Sequence, residues 1–457
     1  MIENKILQKL RRIVGEENLL ESEEDRYSCA TDAFVAESVP DVVVYPTSTD
    51  EVAGILSLAN ENAIPVTARG AGTGLTGGTV PVHNGIVLCF TRMNRILDIN
   101  TRDRYAIVQP GVVNGDLQTA LMDRRFFYPP DPASMSVSTI GGNIAENAGG
   151  PRCLKYGVTA DYVLGLEAVL GNGDVIRFGS RNVKDVSGYN LSRLFCGSEG
   201  TLGIVTEATL KIIPQPEASR TVLAMYNSLD HSADTVADVI GSGILPAALE
   251  LMDKSTINVI EDQGSLGLDR EAEAIIIFEV DDREETVEKE MKIIAEKARR
   301  NGAVTVKEAK NKAESDELWK ARRNVYGILA RLAPNCIVED ATVPASKVPA
   351  MVTGVRKISE KNDILICILG HAGDGNLHPV ICTDIRKPQE WEKVERAAKE
   401  IFELSVSLGG TLSGEHGIGL AKSEFLPLVL NQSTRNFMAR IKRAIDPKGI
   451  LNPGKFV

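Results

Sequence analysis

The sequence has no excess of basic residues: 51 Lys and Arg stand against 62 Asp and Glu, a formal net charge of −11 over 457 residues. Gripping a phosphate backbone needs a basic face, so nucleic-acid binding is excluded as the main role. No apolar run approaches the ~18–20 residues of a membrane span; the best is Ile364–Leu369. The amino terminus, MIENKILQKLRR, has a helical apolar period but neither the apolar core nor the cleavage site of a signal peptide. The seven cysteines, at 29, 89, 153, 196, 336, 367 and 382, include no CxxC pair. That excludes a thioredoxin or zinc-ribbon site, leaves no cluster for an iron–sulfur centre and argues against a disulfide framework. There is no GxxxxGK[ST] and no low-complexity segment. What remains, at 43% hydrophobic and 25% charged, is an ordinary globular composition. A cytoplasmic protein with reduced thiols is expected.

The chain has a β/α rhythm. Residues 1–36 read as mostly helical, with Ile2, Ile6, Leu10 and Val14 four apart. Val42–Val44 is a short strand, and Ser48 with Glu51 forms a capping box for a helix through Asn62. From Ile64 to about 213, short β runs alternate with glycine-rich loops, and Gly-Asn-Gly-Asp at 171–174 signals a hairpin. After Pro214-Gln-Pro216 two β-α-β units follow, at 221–252 and 274–306, which on one sheet suggest a ferredoxin-like split βαβ domain. A helix near 313–331, a strand at 336–343, a hairpin at 364–382 and a helix near 388–408 complete the pattern.

Three glycine clusters stand out: RGAGTGLTGG at 69–78, GGNIAENAGG at 141–150 and GSEGTLG at 197–203. Glycine allows positive φ and lets N–H groups approach an anion. The formal GxGxxG at 72–77 fails as a nicotinamide fingerprint, because Thr-Gly-Gly-Thr-Val-Pro cannot open a helix behind it. Two readings stand: a looped nest for a pyrophosphate with Arg69 at its edge, or three ordinary tight turns.

Three of the five histidines fall in two polar, glycine-flanked motifs, HAGDGNLH at 371–378 and GEHGIG at 414–419. The first is a turn between apolar strands, so His371 and His378 leave the same end of a hairpin, and Glu415 is the natural third ligand. Two histidines and a carboxylate leave open positions on a divalent ion, which suits a catalytic metal; zinc, manganese and ferrous iron all fit. His416 is the candidate proton acceptor, since histidine is the side chain whose unperturbed pKa lies near neutrality. The alternative is a pair of satisfied core histidines beside a turn.

Taken together with PPDPAS at 129–134 and LNPGK at 451–455, these motifs resemble the FAD-linked dehydrogenases and oxidases of the vanillyl-alcohol-oxidase fold. The resemblance is to the branch of D-lactate dehydrogenase and glycolate oxidase catalytic subunits, and it covers nearly the whole chain. It implies an α+β protein: a two-lobed FAD-binding domain of PCMH type at 1–215, a ferredoxin-like cap at 216–410, and a C-terminal helical segment, 411–457, returning to the FAD domain. It implies that Arg69, Gly70, Ala71, Gly72, Thr73 and Gly74 cradle the FAD pyrophosphate. Pro130, Asp131, Ser134, Thr139, Gly142, Asn143, Gly149 and Gly150 would line the rest, with Glu199, Gly203, Ile204 and Asn452 closing on it. Relatives that hold flavin covalently carry histidine where Thr73 stands, so non-covalent FAD is expected. His371, His378 and Glu415 would bind the metal.

The implied reaction is oxidation of a small D-2-hydroxy acid, D-lactate or glycolate, with His416 as base. Arg322 resembles the arginine that pairs with a substrate carboxylate, though Arg323 competes for the assignment. The D-2-hydroxyglutarate branch carries lysine where Val338 aligns and threonine at Tyr326, which points away from a long dicarboxylate. Related subunits pass electrons to an iron–sulfur subunit, an electron-transferring flavoprotein or a quinone, and such a partner could hold the chain at a membrane surface. A D-2-hydroxyglutarate dehydrogenase, a flavin subunit inactive alone, and a flavin-free binding protein are the competing readings.

Overall fold

The computed structural model describes residues 2–264 and 266–456. They fall into two compact units. The first takes in residues up to 150, 158–215 and from 415 onward; the second comprises 151–157 and 216–414.

In the first unit the helix Asn4–Val14 buries Ile6, Leu10 and Val14 in a core shared with the helix Thr49–Glu61. The expected helical stretch through residue 36 is corrected. Gly15 at φ 85° stops the first helix, and through residue 36 only a 3-10 turn, Glu16–Asn18, and a short helix, Glu23–Tyr27, follow it. Between them Leu19–Leu20 is a strand, because pairing with Val43 and Val44 shelters the two leucines. Ser48 caps the next helix by accepting the Glu51 N–H at 3.3 Å, while Glu51 accepts from Thr47 N–H at 2.7 Å.

A four-stranded sheet runs Leu19–Leu20, Val42–Val44, Ile86–Cys89, Val66–Arg69, with the last three parallel. The carboxyl-terminal segment lies along its Val66 edge: Val66 N–H donates to Ile450 O and Asn452 N–H to Val66 O, both at 2.8 Å. The second sheet is antiparallel and five-stranded, in the order Ile96–Asn100, Tyr105–Val108, Ile204–Lys211, Val163–Val169, Val175–Gly179. Its last hairpin closes where Gly173 takes φ 90°. The second glycine cluster is not all loop: Thr139 caps a helix, Ile140–Glu146, and Asn147 ends it in the left-handed region.

In the second unit an eight-stranded sheet is ordered Thr305–Glu308, Ala218–Tyr226, Ala274–Asp282, Ala248–Asp253, Ile366–His371, Asn376–Thr383, Asn335–Val338, with Ala341–Thr342 paired to Asn376–Thr383. Its first four strands, antiparallel with helices Leu229–Gly241 and Glu284–Arg300, are the expected ferredoxin-like arrangement. Val287, Met291, Ile294 and Ala298 are the buried stripe of the second helix. Two expectations shift. The strand foreseen at 336–343 is broken at Glu339-Asp340, where both carboxylates are buried. Residues 151–157, expected with the FAD domain, group with this unit: Lys155 Nζ donates to Asp281 Oδ1 at 2.5 Å, and Tyr156 hydroxyl to Asp281 Oδ2 at 2.9 Å.

The strands Ala248–Asp253 and Ala274–Asp282 are buried on both faces, and Phe278 is fully enclosed. Replacing Phe278 by alanine is expected to cost about 3–5 kcal/mol. Trp319 and Trp391, the two tryptophans, both belong to this unit, so tryptophan fluorescence during urea unfolding reports it alone. An unshifted midpoint would contradict the packing described.

Candidate functional site

Glycine demand in the first unit is set by close approach. The strand Val66–Arg69 runs into residues 70–80 with no helix behind it. A Cβ on Gly70 would stand 2.2 Å from Thr139 Oγ1, and one on Gly77 2.9 Å from the Leu420 side chain. These contacts exclude a side chain at Gly70 and Gly77, so the backbone is bare at those two points, which suits close approach of a diphosphate. Arg69 turns inward: its guanidinium donates to Thr31 O at 2.6 Å and Thr79 Oγ1 at 3.2 Å, close against Gly72. It braces the loop, where the sequence suggested an arginine at the rim of a pyrophosphate nest.

Five motifs distant in sequence meet around Glu199. This residue holds φ 51°, uncommon for a non-glycine, and is 4% exposed. Its carboxylate accepts the N–H groups of Ile418 at 2.7 Å and Gly419 at 2.8 Å. Its carbonyl accepts from Asn452 Nδ2 at 2.7 Å, and the same amide donates to Gly78 O at 2.9 Å. Leu420 N–H donates to Thr76 O at 2.7 Å. A Cβ on Gly417 would lie 2.2 Å from Glu146 Oε2. The 69–78, 141–150, 197–203, 414–419 and 451–455 motifs are therefore one constellation.

The expected PPDPAS lining joins it through Gly150, where a Cβ would meet Asp131 O at 2.4 Å, and through Asn114, which donates to Pro130 O at 3.1 Å. Ser134 O accepts the N–H groups of Val137 and Ser138 at 2.8 Å. Gly203 and Ile204 serve packing more than lining: a Cβ on Gly203 would meet the Phe195 ring at 2.7 Å, and the Ile204 side chain lies in the apolar core.

Charge is concentrated here. Burial pushes the Glu199 carboxyl up, against the two N–H groups it accepts. Burial, with Glu199 and Asp32 as like charges, holds Glu146 well above the ordinary carboxylate range. Burial also depresses Lys455 to about 8, although Asp32, Glu199 and Glu146 oppose it. Lys455 Nζ donates to Val80 O at 2.6 Å. Glu415 and His416 are half-buried in this unit, and Thr76 Oγ1 donates to His416 O at 3.4 Å.

The second unit gathers the histidines by strand register. His378 lies two residues beyond His371's partner Asn376, so the two share one sheet face. Their Nε2 atoms stand 3.4 Å apart, with ring planes at 84°, and both rings are buried. Behind each Nδ1 is a buried carboxylate. Glu250, directly opposite His371 on the next strand, makes a short contact with His371 Nδ1, and Asp340 Oδ1 lies 3.8 Å from His378 Nδ1. Burial alone would raise the Glu250 carboxyl, but His371 and Arg322 outweigh it and hold it below the usual range.

Arg322, on the helix Lys312–Leu329, donates its Nε to Glu250 at 2.7 Å and is 9% exposed. Arg323 is exposed and paired with Asp316 at 3.0 Å. Of the two arginines, Arg322 alone is drawn into the histidine centre. Asp340 also accepts from Asn376 Nδ2 and Ser413 Oγ, each at 2.5 Å, and from Gly414 N–H at 2.9 Å. It thereby fixes the two residues that precede Glu415. Neither Glu250 nor Asp340 was singled out by the sequence motifs. The usable signal was a charge inside a strand with apolar residues on both sides, Ala-Leu-Glu-Leu-Met at 248–252.

Two paired, buried imidazole nitrogens backed by carboxylates form a donor set suited to a divalent cation. Comparison with known proteins bears on the rest. Residues 215–456 match the family of FAD linked oxidases, C-terminal domain, and residues 40–179 match the FAD binding domain family. The chain is 49% identical over 456 residues to glycolate oxidase subunit GlcD of Bacillus subtilis, covering 100% of this chain and 97% of the relative. It is 40% identical over 424 residues to D-lactate dehydrogenase of Archaeoglobus fulgidus, covering 91% of each. Among solved structures, p-cresol methylhydroxylase with substrate bound superposes with a TM-score of 0.79 at 17% identity, covering 99% of this chain and 96% of that one. At that identity the likeness is one of fold.

The buried lysine gives the first unit a pH signature. Lys455 titrates near 8 when folded, against about 10.4 unfolded. Its depressed folded value means the unfolded chain binds more protons between those limits, so stability rises with pH from about 8 to about 10.4 and the gain is absent below 8. The full contribution is about 3 kcal/mol. Unfolding followed by circular dichroism across pH 7.5–10 should show this rise in the wild type and a flatter profile in Lys455→Met. Parallel profiles would remove Lys455 as the source.

Proposed function

The chain belongs to the FAD-linked oxidase family, and from that premise we propose that it oxidises a small D-2-hydroxy acid, D-lactate or glycolate, to the 2-oxo acid with the help of a divalent cation. The observation that carries this reading is the pairing of the His371 and His378 Nε2 atoms at 3.4 Å beside Arg322, which is tied to His371 through Glu250. A 2-hydroxy acid has two handles, a hydroxyl for a cation to acidify and a carboxylate for a guanidinium to hold. That centre offers a group for each.

The glycine loops and Asn452 would hold FAD non-covalently, and FAD would supply the hydride acceptor. His371, His378 and Glu415 would hold a zinc, manganese or ferrous ion, which would supply Lewis acidity toward the substrate hydroxyl. Arg322 pairs with the substrate carboxylate; its planar fork suits bidentate contact. His416 takes the hydroxyl proton as the C2 hydride departs, so the acid loses one proton and one hydride and becomes the 2-oxo acid. Positioning of the acid by Arg322 converts this into an intramolecular event.

Substrate size is read at Tyr326 and Val338. Both pack on the apolar cluster of the second unit, where a longer dicarboxylate branch is expected to carry threonine and lysine. This favours a monocarboxylate over D-2-hydroxyglutarate. The match to a relative named as a glycolate oxidase subunit favours onward transfer of electrons to a partner, an iron–sulfur subunit or electron-transferring flavoprotein.

Anaerobic bleaching of the flavin band is the test. D-Lactate or glycolate should bleach it, L-lactate should not, and D-2-hydroxyglutarate should do so poorly. His416→Ala should slow bleaching by about 10²–10⁴-fold with FAD retained. Bleaching at the wild-type rate in that variant would eliminate His416 as the base. A flavin band bleached by D-2-hydroxyglutarate alone would replace the proposed substrate.

A further inference from the structure

One residue of the histidine centre has no part in the reaction outlined above and yet touches two of its members. Glu250 sits mid-strand with its side chain fully enclosed. A carboxylate there costs several kcal/mol unless it is paired. Its two oxygens are divided between partners of different kinds: Oε1 meets His371 Nδ1, and Oε2 accepts from Arg322 Nε at 2.7 Å.

We infer that Glu250 is a positioning residue that sets the cation-facing nitrogen of His371 and the plane of Arg322 together, coupling cation binding to recognition of the substrate carboxylate; this rests on the cation and hydroxy-acid reading above. A neutral imidazole carries one N–H. With a carboxylate at Nδ1 the proton resides there, and the Nε2 lone pair is left facing His378 Nε2 at 3.4 Å. Without Glu250 the other tautomer becomes available, and half of the donor pair turns from lone pair to N–H.

The same carboxylate holds Arg322 by its Nε and so fixes the orientation of the guanidinium fork. The strand register makes this linkage specific. Glu250 is directly opposite His371 on the neighbouring strand, and one step along either strand would turn the side chain to the opposite sheet face. A single side chain therefore spans the helix-borne arginine and the strand-borne histidine, and a disturbance at either is transmitted to the other.

The test uses the full-length FAD-loaded protein and its Glu250→Gln variant. Affinity for Zn²⁺, and separately for Mn²⁺, is measured by competition with a chromophoric chelator. Flavin content is recorded as a check on the first unit. The variant is expected to bind the cation about 10–100-fold more weakly at unchanged flavin content. At saturating cation its KM for D-lactate should rise by at least as large a factor as kcat falls, because the carboxylate-holding group is what has loosened. Should Glu250→Gln fail to fold, Glu250→Asp, which withdraws the carboxylate by one methylene, is expected to weaken the cation in the same direction. Equal cation affinity in the wild type and a folded variant overturns the role of Glu250 and leaves the cation reading intact. A wild-type protein that takes up neither ion overturns the cation reading itself, and this inference with it.

Discussion

A carboxylate cannot be buried alone, and both candidate centres of this protein are organised by that constraint. Glu199 in the first unit and Glu250 and Asp340 in the second are almost completely enclosed. Each is matched by donors from segments far away in sequence. Glu199 gathers Ile418 and Gly419, Asp340 gathers Asn376, Ser413 and Gly414, and Glu250 gathers His371 and Arg322. Glu199 is met by backbone N–H groups, Asp340 by one backbone N–H and two neutral side chains, and Glu250 by an imidazole and a guanidinium. The glycines follow from the same demand. Gly417 and Gly419, at φ 87° and 49°, let a segment pass close enough for its N–H groups to reach a buried oxygen, and a Cβ on either would strike Glu146 or Thr76.

The second unit shows how a functional row is embedded in a structural sheet. Along one face, Leu223, Ile277, Ala248, Met252, Cys367, Leu369, Val380 and Cys382 form a continuous apolar surface covered by the helices Lys254–Gly264 and Lys312–Leu329. Register interrupts it with a polar line, Glu250 opposite His371 opposite Asn376 opposite Thr342. Asn376 Nδ2 links onward to Thr342 Oγ1 at 3.0 Å. The apolar surroundings keep the local dielectric low, so each polar contact in the line is stronger than it would be in water. The sheet supplies rigidity, and alternation along each strand delivers every member of the line to the same side.

Much of this was legible in the sequence, for identifiable reasons. The stripe of Val287, Met291, Ile294 and Ala298 has a helix's period, and its burial follows. The histidine hairpin was readable because a polar turn separates two apolar runs. The helix Ile140–Glu146 was not, since two glycines at its start have low helix propensity, and a Thr139 cap with tertiary burial overrides it. The inward turn of Arg69 was invisible because its partner, Thr31 O, is a main-chain carbonyl with no sequence signature. Glu250 escaped for a subtler reason. Alternation of charge and apolar residues is the usual mark of a strand with one wet face, and only the sheet's double burial shows that this charge has no water to face. Choosing between Arg322 and Arg323 likewise needed the fold, since adjacent helical residues differ only in which side they present.

The arrangement also separates what is fixed from what can vary. Arg322 and Tyr326 are one helical turn apart and so share a face of their helix. Tyr326 packs on the apolar part of the sheet surface with Val338, while Arg322 is held by the polar line. A change at Tyr326 or Val338 alters the volume and polarity of apolar packing, which a core tolerates at modest cost when size is conserved. A change at Glu250, His371 or Arg322 leaves a buried charge or donor without its partner, which a core does not tolerate. Under the proposed function, substrate length can therefore drift through the apolar positions while the hydroxy-acid chemistry stays constrained by the paired charges. Two branches acting on acids of different length can then share one sheet, one arginine and one pair of histidines.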